Sequence, residues 1–119
     1  MRAKLINENL DTHWLSQLDE FVILELNKYA QEAGCYFDIE NIHLYGSVIT
    51  KGLKDAKDID VFVEVSNFEG GNYIYDTVDF KEYLHEQEIY FNDKYVDINF
   101  TDYDIELDEI GEIGNYITL

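Results

Sequence analysis

The alternating stretch from Asp58 to Val65 constrains the fold of this chain more than any other part of its sequence. Every second residue in it is apolar, namely Ile59, Val61, Val63 and Val65. Because side chains alternate between the two faces of a strand, this spacing predicts a β-strand with one face in a core. The opposite face begins with Asp58 and Asp60, whose Cα atoms are about 7 Å apart at this spacing. Carboxylate oxygens so placed can converge on one hard cation or on two.

A second apolar run, residues 42–45, predicts another strand directly upstream of a Gly46-Ser47 turn. Residues 47–53 then predict a short helical segment that starts at this turn. Backbone N–H groups at a helix start, together with the Ser47 hydroxyl, can bind phosphate oxygens. Lys51 follows about one helical turn later and can reach the same anion. The segment therefore predicts a phosphate-binding turn just before the paired carboxylates.

Residues 12–33 have the pattern of one long amphipathic helix. Asp11 is its predicted N-cap, and Gly34 is the residue predicted to end it. Its apolar stripe is interpreted as core packing and contains Trp14, Leu15, Leu18, Phe21, Val22, Leu26 and Tyr29. A second, shorter helix is predicted over residues 76–87.

A β-hairpin is predicted with arms at residues 89–91 and 95–100 and with Asn92-Asp93-Lys94 as its turn. One face of the second arm carries Val96, Ile98 and Phe100. Asp97 therefore points to the other face, away from the core. Residues 66–75, which contain two adjacent glycines, are predicted to be a surface loop.

The net charge of the chain limits the classes of partner that it is expected to bind. Its 119 residues include 26 acidic and 8 basic side chains, which gives a formal net charge of −18. Such a surface repels phosphate backbones, so nucleic acid is not an expected partner, whereas basic proteins and divalent cations are favoured. The basic residues Lys51, Lys54 and Lys57 lie between the Gly-Ser turn and the Asp pair. Residues 102–119 contain six acids and no base, and are predicted to be an acidic tail that packs on the domain or binds a basic partner.

The length is that of one domain, so residues 1–119 are interpreted as a single unit with one core. Its one cysteine, Cys35, fits a reducing compartment. The sequence has no apolar run long enough for a membrane span and no signal-peptide pattern at its start. Together these features predict a cytoplasmic protein with no membrane contact.

The order of the motifs resembles that of the DNA polymerase β-like nucleotidyltransferase superfamily. Gly46-Ser47 is followed after ten residues by Asp58-Ile59-Asp60 and later by Val96-Asp97-Ile98. The likeness is to the small single-domain members, the minimal nucleotidyltransferases, and runs in element order over roughly residues 12–100. It implies an α+β fold, with a nucleotidyltransferase-like mixed β-sheet and helices packed on one face.

The resemblance also implies the chemistry of a two-metal nucleotidyl transfer. By analogy, Asp58 and Asp60 would bind both of two Mg²⁺ ions. Asp97 would complete the ligands of one ion and favour deprotonation of the acceptor hydroxyl. Gly46 and Ser47 would hold the β- and γ-phosphates of a nucleoside triphosphate, for which ATP is the expected choice. Some minimal members are antitoxins that adenylylate a helical toxin protein.

Two main kinds of function remain open from the sequence. One is a magnesium-dependent nucleotidyltransferase that moves NMP from a nucleoside triphosphate to a hydroxyl of a protein or a small molecule. The other is a non-catalytic, antitoxin-like protein, a pseudoenzyme on the same fold, whose acidic surface neutralises a basic partner. A nucleotide sensor without turnover is a third and weaker alternative.

Overall fold

The computed structural model describes residues 12–103 and 114–119 of the chain. Within these ranges the elements are α1 (Thr12–Ala33), β1 (Tyr36–Tyr45), α2 (Ser47–Lys51), β2 (Asp58–Glu69), α3 (Thr77–His85), β3 (Tyr90–Phe91), β4 (Lys94–Asp102) and β5 (Tyr116–Thr118). They form an α+β fold with one mixed sheet, which confirms the predicted fold class. The nucleotidyltransferase family itself stays a prediction.

The strands in the described ranges form a five-stranded sheet in the order β3-β4-β2-β1-β5. β1 runs antiparallel to both β2 and β5, and β3 runs antiparallel to β4. β2 and β4, by contrast, are parallel neighbours. Parallel strands start at the same edge of a sheet, so the first residues of β2 and β4 lie side by side. This pairing decides where the acidic residues of the two strands meet.

One face of the sheet and the helices α1 and α3 enclose the hydrophobic core. The buried strand residues on this face are Ile42, Leu44, Ile59, Val61, Val63, Val65, Val96, Ile98 and Phe100. The buried helix residues include Leu18, Val22, Leu26, Phe80 and Leu84. Burying one large apolar side chain contributes about 1.5–3 kcal/mol. The opposite face of the sheet carries the polar side chains of the candidate site.

α1 confirms the predicted helix over residues 12–33. It ends in a Schellman motif, in which Gly34 has a φ of +74°. The N–H groups of Gly34 and of the next residue donate to the carbonyls of Gln31 and Ala30 at 3.2 and 2.8 Å. These bonds satisfy carbonyl groups that the last turn of a helix leaves free. The predicted N-cap, Asp11, lies outside the described residues.

β1 is longer than the strand predicted over residues 42–45, since it spans Tyr36–Tyr45. Its register against β2 shifts twice before Ile42. Each shift breaks the period-two alternation by which a strand is recognised in a sequence. The first half of β1 is therefore invisible to an argument from periodicity.

β2 and α3 also differ from prediction at their ends. β2 continues to Glu69 and so takes the first part of the predicted loop over residues 66–75. α3 begins after Asp76, whose Oδ1 accepts a hydrogen bond from the Asp79 N–H at 2.9 Å. An Asp at this position caps the helix by satisfying one of its free N–H groups.

The predicted hairpin is confirmed, with a tighter turn. Asn92 and Asp93 form a two-residue loop and have φ values of 51° and 68°. Positive φ at both positions is what a type I′ turn requires. Lys94, predicted to lie in the turn, is the first residue of β4.

The predicted acidic tail, residues 102–119, contains a strand of the sheet. β5 pairs with the end of β1, with Thr118 opposite His43. The Leu119 N–H donates to the Ile42 carbonyl at 2.8 Å. Residues 104–113 lie outside the described ranges. Removing the whole tail would therefore also remove β5.

Candidate active site

The parallel pairing of β2 and β4 brings the three predicted aspartates together on one face of the sheet. Asp60 and Asp97 are partners in the register of these strands, so their Cα atoms are about 4.8 Å apart. Asp58 lies two residues before Asp60 and projects from the same face. These three side chains form a carboxylate cluster at the edge where β2 and β4 start.

Partial burial and like charges favour the protonated form of Asp60. Asp58 is exposed, whereas Asp60 and Asp97 are half-buried. Burial, and then the charges of Asp97 and Asp58, raise the pKa of Asp60 to about 6. A bound cation would offset this repulsion and favour the ionised form of each carboxyl group. The electrostatics of the cluster therefore favour binding of a divalent cation.

Gly46 packs directly against the carboxylate of Asp60. Tyr45 and Asp60 are partners in the antiparallel register of β1 and β2, so the turn that follows β1 starts beside this aspartate. Gly46 has a φ of +79°, which L side chains rarely adopt, and a Cβ at this position would clash with Asp60 Oδ2. The Gly46 carbonyl accepts hydrogen bonds from the N–H groups of Ile49 and Thr50 at 3.0 and 3.2 Å. The glycine thus allows both the start of α2 and the approach of the turn to the cluster.

Ser47 and Lys51 are the first and last residues of α2. Ser47 is half-buried next to Gly46, and Lys51 is exposed, as are Lys54 and Lys57. Along the helix axis, Lys51 lies about 6 Å beyond Ser47. An extended Lys side chain can cover this distance, so both side chains can meet one anion at the turn.

His85, the last residue of α3, lies against Asp97. Its Nε2–H donates to the Ile98 carbonyl at 2.9 Å and lies 3.2 Å from Asp97 Oδ1. A carbonyl only accepts hydrogen bonds, so Nε2 is the protonated nitrogen and attracts the Asp97 carboxylate as well. No spacing rule relates the end of a helix to a side chain on a later strand, so His85 could not be predicted from the sequence as part of the site.

Tyr45 and Asn99 extend the polar face beyond the carboxylate cluster. The Asn99 Nδ2 donates to the Tyr45 hydroxyl. Burial raises the pKa of Tyr45 against the lowering effect of this bond, and the charges of Asp60 and Asp97 raise it further. The phenol is therefore neutral near pH 7 and can donate a hydrogen bond. The period-two spacing from Asp97 already predicts from the sequence that Asn99 lies on this face.

His43 lies on the same face and joins three strands. Its Nε2 is 2.8 Å from Glu64 Oε1, and its Nδ1 is 2.8 Å from Thr118 Oγ1. Asn41 Nδ2 donates to the same Glu64 oxygen at 3.0 Å. Both His43 and Glu64 are buried, with 5% and 1% of their surfaces exposed. This network links β1, β2 and β5, which is a structural role for His43.

The chemistry of the carboxylate cluster suits magnesium. All three donors are carboxylates, and Mg²⁺ typically takes one or two protein carboxylates together with waters and substrate phosphates. Zinc sites, by contrast, are built mainly from Cys and His. Among residues 12–103 and 114–119, no group of three or more His, Cys, Asp or Glu side chains is arranged so that it could hold a metal ion, so the agreement with magnesium lies in the type of donor atom.

Comparisons with protein-family models, with curated proteins and with solved structures found no match for this chain. Within the described ranges, no helix combines the length and the apolar content that a membrane span requires.

Proposed function

We propose that this protein is a magnesium-dependent nucleotidyltransferase, which moves NMP from a nucleoside triphosphate to an acceptor hydroxyl. One observation carries the proposal: Asp60 and Asp97 are register partners, with Asp58 on the same face and Gly46 against Asp60. ATP is the expected donor, and a protein or a small molecule is the expected acceptor. A net charge of −18 disfavours a nucleic acid acceptor.

Asp58, Asp60 and Asp97 of the carboxylate cluster would together hold two Mg²⁺ ions. The bound ions would neutralise charge on the entering and leaving oxygens of the transferred phosphoryl group. Asp60, whose pKa is raised to about 6, would release its residual proton when the site is loaded. His85, whose Nε2 lies 3.2 Å from Asp97 Oδ1, would hold the Asp97 carboxylate in place beside Asp60.

The turn and α2 would hold the leaving part of the nucleotide. Gly46 and Ser47 would contact the β- and γ-phosphates, and the Lys51 ammonium would neutralise their charge. The acceptor oxygen forms a bond to the α-phosphorus, and the bond from that phosphorus to pyrophosphate breaks. Asp97 would favour loss of the acceptor's hydroxyl proton.

We further propose a cytoplasmic location and nucleotide as the first partner. The thiol of Cys35 is free, which agrees with a reducing compartment. A basic protein is a second expected partner, because the acidic surface attracts positive charge at long range.

Calorimetric titration with ATP, in the presence and absence of Mg²⁺, tests the proposal. The wild-type protein should bind ATP only with Mg²⁺, and Asp58→Asn/Asp60→Asn should abolish binding while the protein still melts cooperatively. Absence of any nucleotide binding by a folded wild-type protein would refute the enzymatic function.

A matched control removes the same number of charges away from the carboxylate cluster. Glu20 lies on α1, which packs on the opposite face of the sheet, and Glu69 is the last residue of β2, the strand that Asp58 begins; both are exposed. Glu20→Gln/Glu69→Gln should therefore bind ATP as the wild type does. Loss of binding in this control would mean that net charge, and not the cluster, determines affinity.

The second candidate function is a non-catalytic, antitoxin-like protein that neutralises a basic partner. The observation that favours it is the excess of 26 acidic over 8 basic residues. Under this alternative, Asp58→Asn/Asp60→Asn would still neutralise the partner, because only two acids are lost. Deletion of residues 102–119 cannot test it cleanly, since the deletion also removes β5.

A further inference from the structure

Two tyrosines form an aromatic corner at the start of β4. Tyr90 and Tyr95 are partners across β3 and β4, with ring centroids 5.8 Å apart and ring planes at 67°. Tyr90 is 55% exposed, and Tyr95 is half-buried. The two rings therefore present an L-shaped aromatic surface that solvent reaches.

The Tyr90–Tyr95 corner adjoins the carboxylate cluster. Tyr95 is the register partner of Asp58 across β2 and β4, and it lies two residues before Asp97 on the same face. A ligand held at the cluster would therefore have the corner within about 7 Å along β4.

The most exposed tyrosines of the described chain lie elsewhere. Tyr73 and Tyr75 are 87% and 77% exposed. They follow the end of β2, whereas Asp58 begins this strand of 12 residues. A strand of this length spans about 35 to 40 Å, so Tyr73 and Tyr75 lie at the far end from the carboxylate cluster.

We propose that the Tyr90–Tyr95 corner binds the base of the nucleotide whose phosphates lie at the carboxylate cluster. This inference rests on the proposed function. Aromatic side chains beside a phosphate site stack bases through their π-faces, and every base offers such a face. The corner orients the nucleoside and adds affinity, while the phosphates are held by the cluster and the Gly46 turn.

Calorimetry with two probes separates base binding from phosphate binding. ATP and inorganic tripolyphosphate carry the same phosphate chain, and each is titrated with Mg²⁺ into wild type, Tyr90→Ala and Tyr95→Leu. We expect each variant to bind ATP about 5- to 150-fold more weakly, the range for loss of one stacked base. Affinity for tripolyphosphate should not change. Tyr90→Phe and Tyr95→Phe, which keep the ring, should bind ATP as the wild type does.

Tyr73→Ala is the matched control, because it removes an exposed tyrosine far from the cluster and should leave both affinities unchanged. Equal loss of ATP and tripolyphosphate affinity in Tyr90→Ala and Tyr95→Leu would overturn the inference, since the pair would then only support the hairpin. Unchanged ATP affinity in both variants would also overturn it, while the proposed function would stand. A wild-type protein that binds neither probe would refute the proposed function itself, and base binding with it.

Discussion

The contact between Gly46 and Asp60 leads to a quantitative prediction about stability. Gly46 combines a φ of 79° with a ψ of −148°, a conformation that costs a non-glycine residue about 1–3 kcal/mol. A Cβ there would also clash with Asp60 Oδ2 and lie 3.1 Å from Asp60 Cγ. Overpacking of this kind costs about 1–3 kcal/mol more. We expect Gly46→Ala to lower the free energy of unfolding by about 2–6 kcal/mol.

A double-mutant cycle separates the two contributions. Asp60→Ala removes Oδ2 and Cγ and leaves the residue-60 Cβ 3.3 Å from the added Cβ, so Gly46→Ala in that background should cost the backbone strain and little more. The coupling free energy between the two substitutions should therefore be about 1–3 kcal/mol. Urea denaturation of the wild type, both single variants and the double variant measures it. Gly114→Ala is the control, since Gly114 has a φ of +78° and a Cβ there would have no neighbour within 4 Å.

Three results of the double-mutant cycle would contradict the expected strain at Gly46 or its contact with Asp60. Equal cost of Gly46→Ala in both backgrounds would show that the Asp60 carboxylate does not pack on the glycine. A Gly46→Ala protein as stable as Gly114→Ala would show that strain alone acts at both positions. A Gly46→Ala protein as stable as the wild type would refute the strain and the contact together.

Three other contacts yield predictions of smaller effects. The pKa of Asp60 is raised from 3.8 to about 6, so its ionisation destabilises the folded state as pH rises through this window. In metal-free buffer at pH 7, Asp60→Asn should therefore be about 1–2 kcal/mol more stable than the wild type, once solvent screening is allowed for. At pH 4 the two proteins should be nearly equal in stability. A stability difference that does not vary with pH in urea denaturation would contradict this. His85→Ala frees Asp97 and should weaken Mg²⁺-ATP binding about 2- to 12-fold in calorimetry, and an unchanged affinity would exclude an orienting role. Thr118→Val leaves the buried His43 without its Nδ1 partner and should lower the free energy of unfolding by about 1–3 kcal/mol. If the free energy of unfolding falls by no more than about 0.5 kcal/mol, as at an ordinary surface position, this hydrogen bond contributes little.

The helices and strands that could be predicted from the sequence are those with a continuous hydrophobic period. α1 has a continuous helical period and a terminal glycine, Gly34, and its bounds agree with prediction. The alternation from Asp58 onward likewise identified β2 and the face on which its aspartates lie. By contrast, the register shifts before Ile42 obscure the first half of β1. β5 has only three residues, which is too short for any period to be visible.

In the candidate site, too, residues with a local sequence signal were predicted, whereas contacts made through tertiary packing were not. Asp58, Asp60 and Asp97 were predicted from motif order and strand alternation, and the structure places all three on one face. Their mutual register could not be predicted, because it depends on the parallel pairing of two strands that are distant in the sequence. The same holds for His85, whose contact with Asp97 arises from the packing of α3 against β4. Contacts between residues that are distant in the sequence produce no periodic pattern, so they cannot be predicted from a single sequence.

The parallel pairing of β2 and β4 also bears on the order in which the chain folds. The hairpin of β3 and β4 forms from neighbouring residues, whereas the pairing of β2 with β4 closes a large loop that includes α3. Non-local contacts of this kind carry a loop-closure cost and slow the folding of a domain. The carboxylates of Asp60 and Asp97 therefore meet only in molecules in which β2 and β4 have paired. A ligand that needs both carboxylates would recognise the finished protein and add about 2.7 kcal/mol to its stability at a hundred times its Kd.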